Sequence, residues 1–245
     1  MIFPRNKPVP VQYLIDLRKM YEGQESSKPP KGIYPNIKKQ HSQLDIGCPA
    51  IAATNNKLFD VPSPFTFDLI FGRDEFGDSY WRYTFDTKVH RDFTPSIHDI
   101  LKYALTNSET GGKSIQMQFG VPYALMTDTP DTSLTILPPH NIKYENCAFV
   151  TGEFVFTDWV RHLSSAWVLL DESKPAVVHY EIGEPCMSLY FNKQVELSFV
   201  ENTQKALDYI DQNVLSTFYL KNAIESMFAT VKSRRPKKLL VRNGD

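Results

Sequence analysis

The stretch "PFTFDLIFG", Pro64 to Gly72, carries the clearest signal of fold class in this sequence. Large apolar side chains take every second position, at Phe65, Phe67, Leu69 and Phe71. Successive side chains of a β-strand point to opposite faces, so this alternation predicts a strand with one buried face. In the segment that follows, "DEFGDSYWRYTF", Gly77-Asp78 lies where a hairpin would turn into the next strand.

Strand-like patterns continue through the middle of the chain. The segment "SIQMQFG" alternates again, with Ile115, Met117 and Phe119 on one side. Further apolar segments are separated by turn-forming residues, and they read "TSLTILPP", "AFVTGEFVFTDW", "SSAWVLLDE", "AVVHYEI" and "PCMSLYFN". We therefore predict a mainly β fold, with an antiparallel β barrel or clip-like domain over residues 46–197.

The two ends of the chain differ from this β region. Residues 1–45 are predicted to form an extended N-terminal arm, because "YEGQESSKPPKGIYPNIKKQ" is polar and rich in proline. Within the arm, "VQYLIDLRKMY" would also suit an amphipathic helical turn. Residues 198–233 carry apolar side chains at helical intervals and are predicted to form C-terminal helices, followed by a basic tail over residues 234–245.

Composition gives the chain no strong charge. Its 245 residues are 42% hydrophobic and the formal net charge is −1, so nothing drives the whole chain toward nucleic acid or an anionic membrane. Any contact with nucleic acid is expected through the basic residues Lys232, Arg234, Arg235, Lys237 and Lys238. No apolar run approaches the roughly 20 residues of a membrane-spanning helix, so we expect no membrane partner.

The cysteines and the N-terminal residues indicate in which cellular compartment the protein is expected. Cys48, Cys147 and Cys186 form an odd set without CxxC spacing, which argues against a disulfide framework and against a zinc site. Prolines interrupt the N-terminal "MIFPRNKPVPVQYLIDL", where a signal peptide needs a continuous apolar run. We expect a protein that is not secreted by a signal peptide and that occupies a reducing compartment or a particle assembled inside a cell.

A phosphate-binding loop is suggested by Gly112-Lys113-Ser114, but the rest of the pattern is missing. The full loop needs a glycine five residues before Gly112, and Asn107 stands there. The residues after Ser114 alternate like a strand, whereas a phosphate site needs the N-terminus of a helix. The sequence therefore favours a Gly-Gly turn that leads into a strand.

An iron site is the second candidate. His90 and Asp92 in "HRD", with the distant His179, match the two-histidine, one-carboxylate pattern of non-haem Fe(II) oxygenases. Lys193 is the nearby candidate for holding the carboxylate of a cosubstrate. The competing interpretation makes His90 and Asp92 surface residues before a turn. The iron site belongs to an alternative function, and the leading hypothesis has no cofactor.

Two other kinds of site find less support. The chain has no G-x-S-x-G elbow, so a serine hydrolase of the nucleophile-elbow type is set aside. The segment "SYWRYTF" combines aromatic residues with Arg82, as in surfaces that stack nucleic-acid bases. A packed β core accounts for the same aromatic residues without a nucleic-acid partner.

Two segments, Cys48 to Phe71 and Val150 to Asn192, resemble a known family. They begin "CPAIAATNNKLFDV" and "VTGEFVFTDWVRHL", and together they resemble an uncharacterised family of small proteins common in T4-like marine phages and in some bacteria. A late motif of that family corresponds here to Ile182, Gly183, Pro185, Ser188 and Phe191. The resemblance implies a phage-encoded protein located in the host cytoplasm or in the virion.

The late motif is also similar to the end of the dUTPase-type β-clip fold. In the segment that matches "VTGEFVFTDW", dUTPases place a catalytic aspartate that activates water, whereas here Phe156 takes the matching position and Asp158 is the nearest acid. The glycine-rich, arginine-containing C-terminal lid of dUTPases is also missing. Similarity of fold does not transfer function, so a dUTPase-like nucleotide-binding protein stands as an alternative.

Proteins that assemble with others often combine an arm, a β body and a helical segment. The arm binds a neighbouring subunit, and the helices supply interfaces. We therefore expect a non-enzymatic protein that binds other proteins, virion subunits among them, with a homo-oligomer as one form. A non-haem Fe(II) oxygenase and a dUTPase-like protein are the alternatives, so the sequence leaves enzymatic activity open.

Overall fold

A computed structural model describes residues 7–16, 36–40, 57–85, 115–156 and 161–200. The regular structure of this part is β-strand. The strands are β1 Val9–Ile15, β2 Lys38–Lys39, β3 Leu58–Pro62, β4 Phe67–Arg73, β5 Ser79–Phe85, β6 Gln116–Met126, β7 Ser133–Leu137, β8 Lys143–Glu145, β9 Cys147–Phe149, β10 Gly152–Val155, β11 Arg161–Leu169, β12 Ala176–Tyr180, β13 Pro185–Phe191 and β14 Val195–Phe199. Among these residues, no helix is long and apolar enough to cross a membrane.

The strands form three sheets. Two sheets have five strands, in the orders β14-β1-β6-β11-β9 and β10-β7-β13-β3-β2, and the third has the order β5-β4-β12-β8. Neighbouring strands are antiparallel except β1 and β14, which run parallel. The predicted mainly β, antiparallel fold is confirmed. The predicted closed barrel is wrong for the described strands, because each sheet ends in edge strands on both sides.

The stretch at Pro64–Gly72 folds as its alternation predicts. The apolar residues are all buried: Phe65, Phe67, Leu69 and Phe71. β4 pairs with β5 as a hairpin, and Gly77 adopts a φ of 83° in the turn, a left-handed conformation that suits a residue without a Cβ. The carboxylate of Asp74 accepts backbone N–H groups from Phe76 and Asp78, which closes the turn.

Aromatic side chains from different sheets meet in one core. The ring of Tyr180 on β12 lies 4.7 Å from that of Phe67 on β4 and 4.6 Å from that of Phe119 on β6, measured between centroids. The Tyr180 hydroxyl is fully buried and accepts a hydrogen bond from Trp167 Nε1 at 2.8 Å, with Ser165 Oγ at 3.2 Å. The cluster therefore ties the four-stranded sheet to β6 and β11 of a five-stranded sheet.

Part of the predicted N-terminal arm belongs to the β body. β1 lies between β6 and β14, with Val11, Tyr13 and Ile15 in the core and Leu14 buried on the opposite face. The helical turn expected from Val11 onward is therefore wrong over Val11–Ile15. Pairing on both sides satisfies the backbone of these residues, and their β-branched and aromatic side chains suit a strand. β2 pairs with β3, and the other residues of the arm lie outside the described residues.

The boundary predicted at residue 198 falls inside a strand. Ser198 and Phe199 belong to β14, and the following Val200 N–H donates to the Tyr13 carbonyl at 2.8 Å. The helical prediction is therefore wrong for Ser198 and Phe199, because pairing with β1 satisfies this backbone in extended form. The remaining predicted helices, the basic tail and Gly112-Lys113-Ser114 lie outside the described residues.

We predict that Tyr180→Phe lowers the free energy of unfolding by about 1–3 kcal/mol, because it leaves the buried Trp167 N–H without an acceptor. Urea denaturation monitored by tryptophan fluorescence measures the change. As a control, Tyr144→Phe removes a hydroxyl from a half-exposed side chain and should change stability by less than about 0.5 kcal/mol. Equal effects of the two substitutions would contradict the assigned role of the buried hydroxyl.

Candidate functional site

His179, one of the predicted iron ligands, forms a pair with a carboxylate on the neighbouring strand. Its Nδ1 lies 2.7 Å from Asp68 Oδ1, because β12 and β4 place the two residues directly opposite each other. Thr84 Oγ1 on β5 donates to the other carboxylate oxygen at 3.4 Å. The pair uses the Nδ1 side of the imidazole, so Nε2 is the ring nitrogen that could bind a metal.

The other predicted iron ligands, His90 and Asp92, lie outside the described residues. Within the described ranges, no group of three His, Cys, Asp or Glu side chains is arranged to hold a metal ion. Lys193, the expected cosubstrate anchor, donates from Nζ to the Pro130 carbonyl at 2.7 Å and so fastens the connection between β6 and β7. The iron site stays a prediction from the sequence.

The position that matches the catalytic aspartate of dUTPases is part of the hydrophobic core. Phe156 is buried, and its ring packs edge-on against Phe191 at a centroid distance of 5.9 Å. In the late motif, Gly183 turns with a φ of 85°, and Ser188 Oγ donates to Asp60 Oδ1 at 2.7 Å. These residues pack and connect strands, and Asp158 lies outside the described residues.

A second histidine–carboxylate pair was not predicted from the sequence. His162 Nε2 lies 3.3 Å from Oδ2 of Asp16, and Asp16 is fully buried. Asp16 directly follows β1, and His162 belongs to β11, so 146 positions separate them in sequence. No local pattern reveals such a pair. A buried carboxylate next to a histidine is most simply a tertiary contact that holds these strand ends together.

An open groove of about 360 Å³ lies beside β14. Its walls come from β14 and β1 of one sheet and from β2 and β3 of another. The apolar wall residues are Pro8, Tyr13, Ile37, Phe59, Val195, Leu197 and Phe199. Lys39 and Glu196 contribute one charge of each sign. A cleft with these properties suits an apolar segment of a protein better than an anionic ligand.

Tyr13 and Phe199 define the character of this groove. Their ring centroids are 5.5 Å apart, and Phe199 is 43% exposed, although phenylalanine is usually buried. Burial raises the pKa of Tyr13 to about 12, and a backbone hydrogen bond with Ile37 opposes the shift. The phenol is therefore neutral at physiological pH, so the two rings add no negative charge to the groove beyond that of Glu196.

The backbone of β14 is paired on one side. Val9 N–H donates to the Gln194 carbonyl, and Val200 N–H donates to the Tyr13 carbonyl, each at 2.8 Å. In a parallel ladder such bonds recur at every second residue, so the β14 residues that bond to β1 between these ends are Glu196 and Ser198.

The other backbone groups of β14 point away from β1. They are the N–H and C=O groups of Val195, Leu197 and Phe199, and no described strand pairs with them. Among the described strands, β14 is therefore a sheet edge next to the groove, and on it Leu197 and Phe199 are partly exposed whereas Val195 is buried. This surface was not predicted from the sequence, because β1 was assigned to the arm and the end of β14 to a helix. The alternation of Val195, Leu197 and Phe199 in "VELSF" was the available signal.

We predict that Cys147 and Cys186 resist alkylation in the folded protein. Burial raises the pKa of both thiols, that of Cys147 to about 12, so the reactive thiolate is a minute fraction at about pH 8. Peptide mass spectrometry after iodoacetamide treatment should show slow labelling of both residues in buffer and fast labelling in urea. Labelling of Cys147 at the same rate in buffer and in urea would contradict the described burial.

Comparison with models of protein families, with curated proteins and with solved structures finds no match for this chain. The resemblances to a phage family and to the dUTPase-type fold therefore stay expectations from the sequence. The features of the described residues that bear on function are the groove, the edge of β14 and the side chains around them.

Proposed function

We propose that this chain is a non-enzymatic protein-binding component of a phage assembly, such as a virion subunit, and that it binds other protein chains through the groove at β14. The observation that carries this proposal is the backbone edge of β14, which no second described strand pairs, beside a partly exposed wall of apolar residues. The phage origin comes from the sequence resemblance alone.

An open edge beside an apolar groove is a recurrent setting for protein recognition. A strand that adds to such an edge gains backbone hydrogen bonds, and its alternate side chains fill the neighbouring cleft. β14 supplies both the backbone edge and part of the cleft. Its residues Val195, Leu197 and Phe199 contribute the outward backbone groups and also line the groove. Burial of the half-exposed Phe199 ring would add a hydrophobic contribution to the same contact.

The two alternatives have less support in the described geometry. For the dUTPase-like alternative, the matching position holds the buried Phe156, whose ring packs in the core instead of presenting a carboxylate to water. For the oxygenase alternative, His179 brings one available ring nitrogen, and its observed partner Asp68 joins β12 to β4. Neither arrangement accounts for the exposed apolar groove.

We expect the chain to be present in stoichiometric amounts in particles purified from cells infected by a phage that encodes it. Quantitative mass spectrometry of those particles measures this. Phe199→Ser should lower its amount in particles by about tenfold or more, because the substitution removes an aromatic wall of the groove.

Phe76→Ser is the matched control, since Phe76 is even more exposed but lies at the β4–β5 turn, away from β14. It should leave incorporation unchanged. Absence of the wild-type chain from particles, together with a monomeric state in solution, would contradict the proposed function.

A further inference from the structure

We infer that the partner bound at β14 is a second copy of this chain: two β14 strands pair antiparallel about a two-fold axis at Leu197. The inference rests on the proposed protein-binding function and names its partner. It begins from the outward backbone groups of Val195, Leu197 and Phe199.

Antiparallel pairing about Leu197 satisfies these backbone groups together. Leu197 then lies opposite Leu197 of the second copy, and Val195 lies opposite its Phe199. In an antiparallel ladder, hydrogen-bonded pairs alternate with non-bonded pairs, and each bonded pair exchanges two N–H···O=C bonds. Val195, Leu197 and Phe199 would therefore form the hydrogen-bonded pairs with the second copy. Glu196 and Ser198, which already bond to β1, would occupy the non-bonded pairs.

The side chains are complementary in the same register. The smaller Val195 faces the larger Phe199, and Leu197 faces itself, so apolar residues lie opposite one another on one side. On the other side, Glu196 faces Ser198 of the second copy, and no two carboxylates lie directly opposite. A shift that centred the axis on Glu196 would place two like charges opposite each other, which is destabilising.

Two of the other described edges carry features that discourage such pairing. β2 is two residues long and consists of Lys38 and Lys39, and β8 is three residues long and carries Lys143 and Glu145. Short edge strands with charged side chains, lysine above all, are common protection against edge-to-edge association. β14 has five residues, three of them large and apolar, and a single charged side chain. Its edge is therefore less protected than those of β2 and β8. β5, β9 and β10 are edge strands as well, but none of them lines the groove as β14 does.

Pairing of two β14 strands would also cover the apolar side chains that are exposed around the groove. Residues in a bonded pair project their side chains to the same face of a sheet. Val195, Leu197 and Phe199 of the second copy would therefore extend the apolar wall of the first copy and cover its half-exposed Phe199 ring. The result is one continuous sheet across two copies, in the two-fold symmetry that is commonest among homodimers.

The register is tested by cysteine cross-linking of the full chain in a Cys48→Ser background. In the inferred pairing the Cα atoms of the two Leu197 residues are about 5.5 Å apart, inside the range of a disulfide. We expect Leu197→Cys to give a disulfide-linked dimer under mild oxidation. Glu196→Cys is the matched control, because its two copies lie more than about 7 Å apart across the axis and should not cross-link. Equal cross-linking of both variants would overturn the register.

The association itself is tested by light scattering after size-exclusion chromatography. The wild-type chain should be a dimer, and Leu197→Pro should raise the dissociation constant by about tenfold or more, because it removes an outward N–H. Leu197→Thr keeps that N–H and should weaken the dimer less. Ser198→Pro removes an N–H directed at β1, so it should lower the melting temperature of the monomer more than Leu197→Pro does, although Leu197→Pro also removes a side chain that packs against the core.

These outcomes separate the second-copy inference from the proposed function. A wild-type chain that is monomeric at all accessible concentrations but present in particles overturns the inference and leaves the proposed function standing. A dimer that dissociates with Leu197→Pro, in a chain absent from particles, supports the inference and contradicts the virion role. A dimer that is unaffected by Leu197→Pro overturns the assignment of β14 as its contact.

Discussion

The parallel pairing of β14 with β1 is the constraint on which the surface of this protein depends. It uses the N–H and C=O groups of Glu196 and Ser198, so those of Val195, Leu197 and Phe199 face outward. It also places the apolar side chains of the same residues beside Tyr13 and across from Phe59, which forms the groove. Because an unpaired edge is prone to association, a stable protein either protects such an edge or pairs it.

The core explains how this edge is held in place. Phe67, Phe119 and Tyr180 join two sheets, and the buried Tyr180 hydroxyl satisfies the N–H of Trp167 at their centre. β1 is anchored to that core through β6, and β14 is anchored through β1. The edge is thus the last described strand of a sheet that packs on the core, and a partner strand would meet a preformed template.

Much of the β body was predictable from the sequence, because alternation is a local signal. Phe65 to Phe71 and Ile115 to Phe119 are buried at every second position as the pattern predicts, and the hairpin turns at Gly77. The sheet arrangement was not predictable in this way. β1 pairs with β14, which lies far along the chain. The polar, proline-rich sequence after β1 suggested an arm, and apolar residues at helical intervals after β14 suggested a helix. The Asp16–His162 and Asp68–His179 pairs likewise depend on strand register.

Amide hydrogen exchange along β14 tests the central claim most directly, since it reports on individual N–H groups. If β14 pairs with β1 on one side and with a second copy on the other, the amides of Glu196 and Ser198 are protected at every protein concentration. The amides of Leu197 and Phe199 then become protected only as concentration rises and dimers form. Fast exchange at Leu197 and Phe199 that does not change with concentration would contradict the account.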